Sequence, residues 1–221
     1  MTVEQIREFL EQPEIQLLVA DENLEEVYNK CHSSGRKDLT EYLLSIGVQP
    51  DEYMDHLPEG FLRYSQITSY DISSTVTTIG NYAFFNCDSL ARITIPDSVT
   101  TIDCYAFGCC SSLTNVTIPD SVTSIGHASF RDCDALTRVT ISNSANSIGD
   151  YAFYNCKRLK SITIPDSVAV IGECAFYNCG NIEIYYGGTK QQWEIVTKVG
   201  AFKHNDYVVH CADGDIVNRR K

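Results

Sequence analysis

One pattern recurs through the middle of this chain at a fixed step of 23 residues, and five copies keep register without a slip. The clearest copy is SITIPDSVAVIGECAFYNC, from Ser161 to Cys179. Aligning the copies gives columns. Ile79, Ile102, Ile125, Ile148 and Ile171 form one, Phe84, Phe107, Phe130, Phe153 and Phe176 a second, and Cys87, Cys110, Cys133, Cys156 and Cys179 a third. Leu90, Leu113, Leu136, Leu159 and Ile182 follow, then Ile93, Val116, Val139 and Ile162, then Ile95, Ile118, Ile141 and Ile164. In a chain that turns once per period, residues one period apart stack, and an apolar column becomes a core shared by neighbouring coils. No single coil buries its own apolar side. Extrapolating backwards puts Phe61, Tyr64, Ile67, Tyr70, Ile72 and Val76 at equivalent positions, so a degenerate first repeat begins near Leu57.

Within a copy, Arg92-Ile93-Thr94-Ile95 alternates with period two, the mark of a short strand with isoleucines inward and Arg and Thr outward. Pro96, Pro119 and Pro165 end the strand, because proline donates nothing to a ladder, and the Asp and Ser that follow bond to nearby backbone in a turn. The Ile-Gly pair supplies a bend, and the Ala-Phe pair fills the far side of the coil.

The pattern LxxIxIPDSVxxIGxxAFxNC resembles the BspA-like leucine-rich repeat, a 23-residue variant, over about residues 57 to 187. That resemblance implies a parallel-strand solenoid with protein-binding or adhesive roles and no catalytic centre. Departures are local. Asp103 replaces the glycine, Ser142-Asn143 replaces Pro-Asp, Ala145 replaces the valine, and in Ile182-Glu183-Ile184-Tyr185-Tyr186-Gly187 the register becomes ambiguous.

A solenoid leaves its terminal coils half exposed, so both ends need covers. Residues 1 to 56 read as an acidic helical domain: Ile6, Phe9 and Leu10 share one helical face, Leu24, Val27, Tyr28 and Cys31 another, and Leu39, Tyr42, Leu43 and Ile46 a third. Residues 188 to 221 read as a C-terminal cap. Lys190 to Thr197 makes one or two helical turns presenting Trp193 as a core plug, and Tyr207 to Cys211 with Asp215 to Val217 makes a hairpin around Ala212-Asp213-Gly214. The expected class is α+β: a leucine-rich-repeat parallel-strand solenoid, an N-terminal helical cap domain and a C-terminal helix and hairpin cap.

Charge separates the modules. Residues 1 to 60 hold fourteen acidic against four basic residues, a net of −10 out of −12 for the chain. An acidic segment that includes Glu22, Glu25 and Glu26 does not bind nucleic acid directly. The hydrophobic content of 43% suffices for an ordinary core, and no stretch approaches the ~18 apolar residues of a membrane span. The start, MTVEQIREFLEQPE, lacks the basic and apolar regions of a secretory signal, so the expected localisation is cytoplasmic.

The polar residues offer little chemistry. Five of the ten cysteines are the 23-step column, read as buried structural thiols in preference to disulfides, and no CxxC pair or Cys-His ligand spacing occurs. His32, His56, His127, His204 and His210 sit beside no recognisable nucleophile. Asp97, Asp120 and Asp166 stack, but as turn residues and not as a calcium site. No catalytic residue, cofactor or metal is therefore expected.

The outward strand face remains. One row reads Ser69, Arg92, Asn115, Arg138, Ser161, and its neighbour Asp71, Thr94, Thr117, Thr140, Thr163. Arg92 and Arg138 flank Asn115, with Lys160 nearby, and such cations pair with acidic groups on a partner. A second column, Phe85, Gly108, Arg131, Tyr154 and Tyr177, puts aromatics on the opposite side as core rim or contact surface. The expected function is non-enzymatic binding of a protein through the strand face, the acidic helical cap, or both, without membrane contact. Two alternatives stand beside it: a phage or mobile-element inhibitor in which the acidic domain mimics nucleic acid before a host enzyme, and a surface adhesin.

Overall fold

The computed structural model describes residues 51, 55–57, 59–198, 200–203 and 205–219. The helical domain expected over residues 1 to 56, with Glu22, Glu25 and Glu26, lies outside the described residues except at Asp51, Asp55 and His56. The rest winds as a solenoid of short parallel strands: β1 (His56–Leu57), β2 (Ser69–Asp71), β3 (Thr78–Ile79), β4 (Arg92–Thr94), β5 (Thr101–Ile102), β6 (Asn115–Ile118), β7 (Ser124–Ile125), β8 (Arg138–Ile141), β9 (Ser147–Ile148), β10 (Ser161–Ile164), β11 (Val170–Ile171) and β12 (Ile182–Tyr186). A helix, α1 (Lys190–Ile195), and a hairpin of β13 (Tyr207–Cys211) and β14 (Gly214–Asn218) follow.

Each full coil has two strand sides. The longer strands give a six-stranded sheet in the order β14-β13-β12-β10-β8-β6, with β2 and β4 paired separately beside it. The two-residue strands at the Ile-Gly bend form a second sheet, β1-β3-β5-β7-β9-β11. The bend expected there is thus itself a ladder. Glycine is needed in this column because the coils touch backbone to backbone: a Cβ at Gly126 would lie 2.5 Å from the Ile102 carbonyl oxygen, and one at Gly149 would lie 2.8 Å from that of Ile125. Nothing in the structure explains why Asp103 is accommodated in the same column.

The third side is a run of turns with two left-handed residues per coil. Asn86, Cys109, Asp132, Asn155 and Asn178 hold one such position, with φ between 57° and 61° as asparagine favours. Their side chains bond from coil to coil where they can: Asn155 Nδ2 donates to Asp132 Oδ1 and Asn178 Nδ2 to Asn155 Oδ1, both at 2.6 Å.

The core follows the columns. Phe84, Phe107, Phe130, Phe153 and Phe176 are fully buried, and successive rings stack face to face with centroids 5.1 to 5.4 Å apart. The cysteine column is a ladder of buried thiols, each donating to a carbonyl in the preceding coil, as Cys133 Sγ does to Phe107 at 3.2 Å. Burial pushes the Cys110, Cys133 and Cys156 thiols well above their ordinary pKa, so they stay protonated donors and not nucleophiles. All described cysteines are free.

Ser129 occupies the place that Ala106 and Ala152 fill in adjacent coils, and its hydroxyl is buried without a partner. An unsatisfied buried hydroxyl destabilises by about 1–2 kcal/mol. Ser129→Ala is therefore expected to raise the urea midpoint by a corresponding amount; an unchanged or lowered midpoint would show that the hydroxyl is satisfied.

Three coils depart from the 23-residue step. The first is one residue shorter: Leu57 pairs with Ile79, and Leu62 N donates to Ala83 O. Leu62, not Phe61, therefore takes the phenylalanine column. Tyr64 falls on the left-handed position of Asn86, with φ 66° and 42% exposure, and buried Ser65 replaces the cysteine. The extrapolated positions of Phe61 and Tyr64 are corrected by one residue. Phe61 still packs edge-on to Phe84 and Tyr70. Buried Asp51 closes this end, its carboxylate accepting from the Tyr70 hydroxyl and Ser73 N, each at 2.7 Å.

At the other end β12 is drawn in by one residue, so Ile184 lies beside Ile162 and Tyr186 beside Ile164. A longer last coil follows. Thr189 and Gln192 form a reciprocal capping box that starts α1, whose buried Trp193 packs on Tyr186 and Phe202. Phe202 extends the phenylalanine stack on Phe176 at 5.0 Å. The helix is shorter than expected, ending at Ile195, and the hairpin's second strand is longer, spanning Gly214 to Asn218.

Candidate functional site

The strand sheet carries its inward residues into the core, and its outward residues form rows. Register joins Asn115 to Arg138, Arg138 to Ser161, Ser161 to Glu183, and Glu183 to Val208. The neighbouring row runs Thr117, Thr140, Thr163, Tyr185, His210 and Asp215. Arg92 lies beside Ser69 on the separate β2–β4 pair. The structure thus puts Asn115, Arg138 and Lys160 on one surface and carries that surface into the C-terminal cap.

A groove of about 1010 Å³ crosses this surface, lined by Arg138, Lys160, Thr163, Glu183, Tyr185 and Tyr207 among others. A shallower one, of about 470 Å³, continues over Asn115, Thr137 and Arg138. Arg92, Arg138 and Lys160 are exposed and take part in no ion pair among the described residues. On the far side of the groove Glu183 accepts from the Tyr185 hydroxyl at 3.0 Å, and that bond raises the phenol's pKa above its ordinary value. The Tyr185 ring stacks on His210 at 4.9 Å, and His210 Nδ1 lies 3.0 Å from Asp215 Oδ1.

This arrangement offers a carboxylate-pairing edge, an acidic edge and an aromatic ledge above a threonine floor. It suits recognition of an extended polar chain. His210 and Asp215 form a dyad, but among the described residues no hydroxyl or thiol bonds to either. Nor does any group of three or more His, Cys, Asp or Glu among the described residues converge as metal ligands do.

Tyr154 and Tyr177 lie elsewhere, on the run of turns, half-buried and stacked on each other at 5.0 Å. Arg131 covers Tyr154 at 4.8 Å and pairs with Asp132 at 2.9 Å. Their faces are largely used within the column. Glu183, Tyr185 and His210 were missed by reasoning at a strict 23-residue step, because the last coils change length. The alternation in Ile182-Glu183-Ile184-Tyr185 was the signal that could have found them.

Comparison with protein families matches the BspA type leucine rich repeat region to residues 56–183, as six copies. Comparison with curated proteins finds no match. Among solved structures, a leucine-rich repeat protein of T. pallidum is 28% identical with a TM-score of 0.56, covering 63% of this chain and 68% of that one. The pneumococcal vaccine antigen PcpA is 19% identical with a TM-score of 0.54, covering 77% of this chain and 40% of that one. A leucine rich cell surface protein of Faecalibacterium prausnitzii A2-165 is 26% identical with a TM-score of 0.41, covering 66% and 55%. The chain thus spans less than two thirds of the last two proteins.

Proposed function

The chain belongs to the BspA type leucine-rich repeat family, and from that premise we propose that it is a non-enzymatic binding module that holds a protein partner on its outward strand face. The observation that carries this reading is that Arg138 and Lys160 line a groove of about 1010 Å³, are exposed and, like the exposed Arg92 on the β2–β4 pair, take part in no ion pair among the described residues. Each guanidinium presents a planar fork that matches a carboxylate, against a cost of about 0.5–1.5 kcal/mol for every long side chain that binding immobilises. The fitting partner presents an extended acidic segment.

Of the accompanying readings, the surface adhesin has the better support. The family match covers β8 and β10, which build one side of the groove, and the BspA-like resemblance of the repeats implies adhesive roles among others. The nucleic-acid mimic rests on the acidic run around Glu22, Glu25 and Glu26, outside both the match and the described residues. Proteins captured on the immobilised chain from its native surroundings are expected to bind at least about tenfold more weakly to Arg92→Glu with Arg138→Glu, since reversed charges repel an acidic partner. Equal binding would remove the strand face from consideration. Antibody labelling of intact cells separates the readings on location, a surface adhesin being labelled without permeabilisation.

A further inference from the structure

The outer edge of the strand sheet is β14, which among the described residues pairs with β13 alone. A two-residue turn, Ala212-Asp213, closes the hairpin on the pair Cys211 and Gly214. A pair next to so short a turn exchanges both of its backbone hydrogen bonds. By alternation, Ile216 with Val209 and Asn218 with Tyr207 are bonded in the same way. Asp215 and Val217 then direct their N–H and C=O groups outward, away from the sheet, and Arg219 repeats the direction if the strand is carried one residue further. Edges in folded proteins are commonly blunted by lysine, proline or a bulge. Gly214 to Asn218 contains no lysine or proline, its pairing runs without a bulge, and Val217 is 57% exposed.

We propose that β14 pairs antiparallel with β14 of a second copy of this chain, about a two-fold axis at Val217. That register opposes Val217 to Val217 of the second copy, and Asp215 to Arg219 of the second copy, twice over. Asp215 and Val217 present outward backbone groups, and pairing that extends the strand to Arg219 adds the third, so hydrogen bonds and charges are satisfied by one arrangement. The alternative axis at Ile216 opposes Asp215 to Val217 and makes no charge pair across the seam, leaving Asp215 with His210 of its own chain alone. Charge complementarity selects the first. Residues 61 to 221, which hold the seam, carry a net of only −2. The seam joins the two strand sheets into one, and being smaller than the about 1,000 Å² of a tight interface it makes a micromolar, reversible dimer.

Sedimentation equilibrium of the full chain, over a concentration series into the high micromolar range, is expected to show a monomer–dimer equilibrium. Val217→Pro removes the outward N–H at the axis and is expected to abolish the dimer with unchanged circular dichroism, since that N–H bonds nothing in β13. Arg219→Asp places like charges opposite and is expected to weaken dimerisation about tenfold; combining it with Asp215→Arg restores it. A monomer at every concentration overturns the proposal, as does a dimer indifferent to Val217→Pro. If Val217→Pro fails to fold, the charge pair decides: a double variant no tighter than Arg219→Asp overturns the register.

Discussion

Phe130→Ala is expected to lower stability by about 3–5 kcal/mol, and to do so by parting the solenoid at its middle. Phe130 is fully buried between Phe107 at 5.1 Å and Phe153 at 5.4 Å, with rings within 10° of parallel on both sides. Alanine leaves a gap bounded by two aromatic faces. The gap cannot collapse easily, because Phe107 N donates to Ser129 O at 2.7 Å and Phe130 N to Ala152 O at 2.8 Å, holding the coils at their spacing. In a structure whose coils contact only their neighbours, one weakened interface lets the halves on either side unfold separately. The urea transition is therefore expected to move to lower concentration and to broaden, with a reduced slope. Phe130→Leu keeps most of the volume and is expected to cost less than half as much. A loss below about 1 kcal/mol for the alanine variant would show that the site relaxes, and that the phenylalanine column is not a continuous core.

The same column explains what the sequence made legible. Phe84 to Phe176 and Ile79 to Ile171 stack because each coil repeats the last, so a fixed step reads them directly. The method fails where a coil changes length. Having one residue fewer in the coil that joins Leu57 to its partner Ile79 moved Leu62 into the place assigned to Phe61. Drawing in β12 by one residue put Tyr185 and His210 on the row begun by Thr117 and Thr140, which no constant step could extend that far. The second sheet was hidden for a different reason. Its strands are two residues long, too short for any alternation, and only the glycines reveal how closely those backbones approach. Of the groove, Arg138 and Lys160 could be read from the repeat, whereas Glu183 and Tyr185 belong to the irregular coil that ends it.

Trp193→Ala is expected to cost about 3–4 kcal/mol, nearly as much as Phe130→Ala, yet to be felt at one end only. Trp193 is 2% exposed and sits against Tyr186 at 5.0 Å and Phe202 at 6.1 Å, and Phe202 carries the aromatic stack beyond Phe176. Without the indole, the outer face of Phe202 loses its cover. Lys198 adds to the local cost: its ammonium lies 5.0 Å from the Trp193 ring and donates to the carbonyls of Trp193 and Val196, while burial lowers its pKa. Truncation removes the ring and the favourable face it gives that charge. Amides of Ile184, Tyr186 and Val209 are therefore expected to lose most of their hydrogen-exchange protection, while those of Phe107 and Phe130 keep theirs. Uniform loss along the chain would show one cooperative block in place of coupled coils. Because among the described residues β14 reaches the rest of the sheet only through β13, the same variant is expected to release the edge strand, and with it any pairing that Val217 supports. Fraying from Trp193 and parting at Phe130 thus test one physical claim from two positions: the stability of each coil is set by what lies directly above and below it.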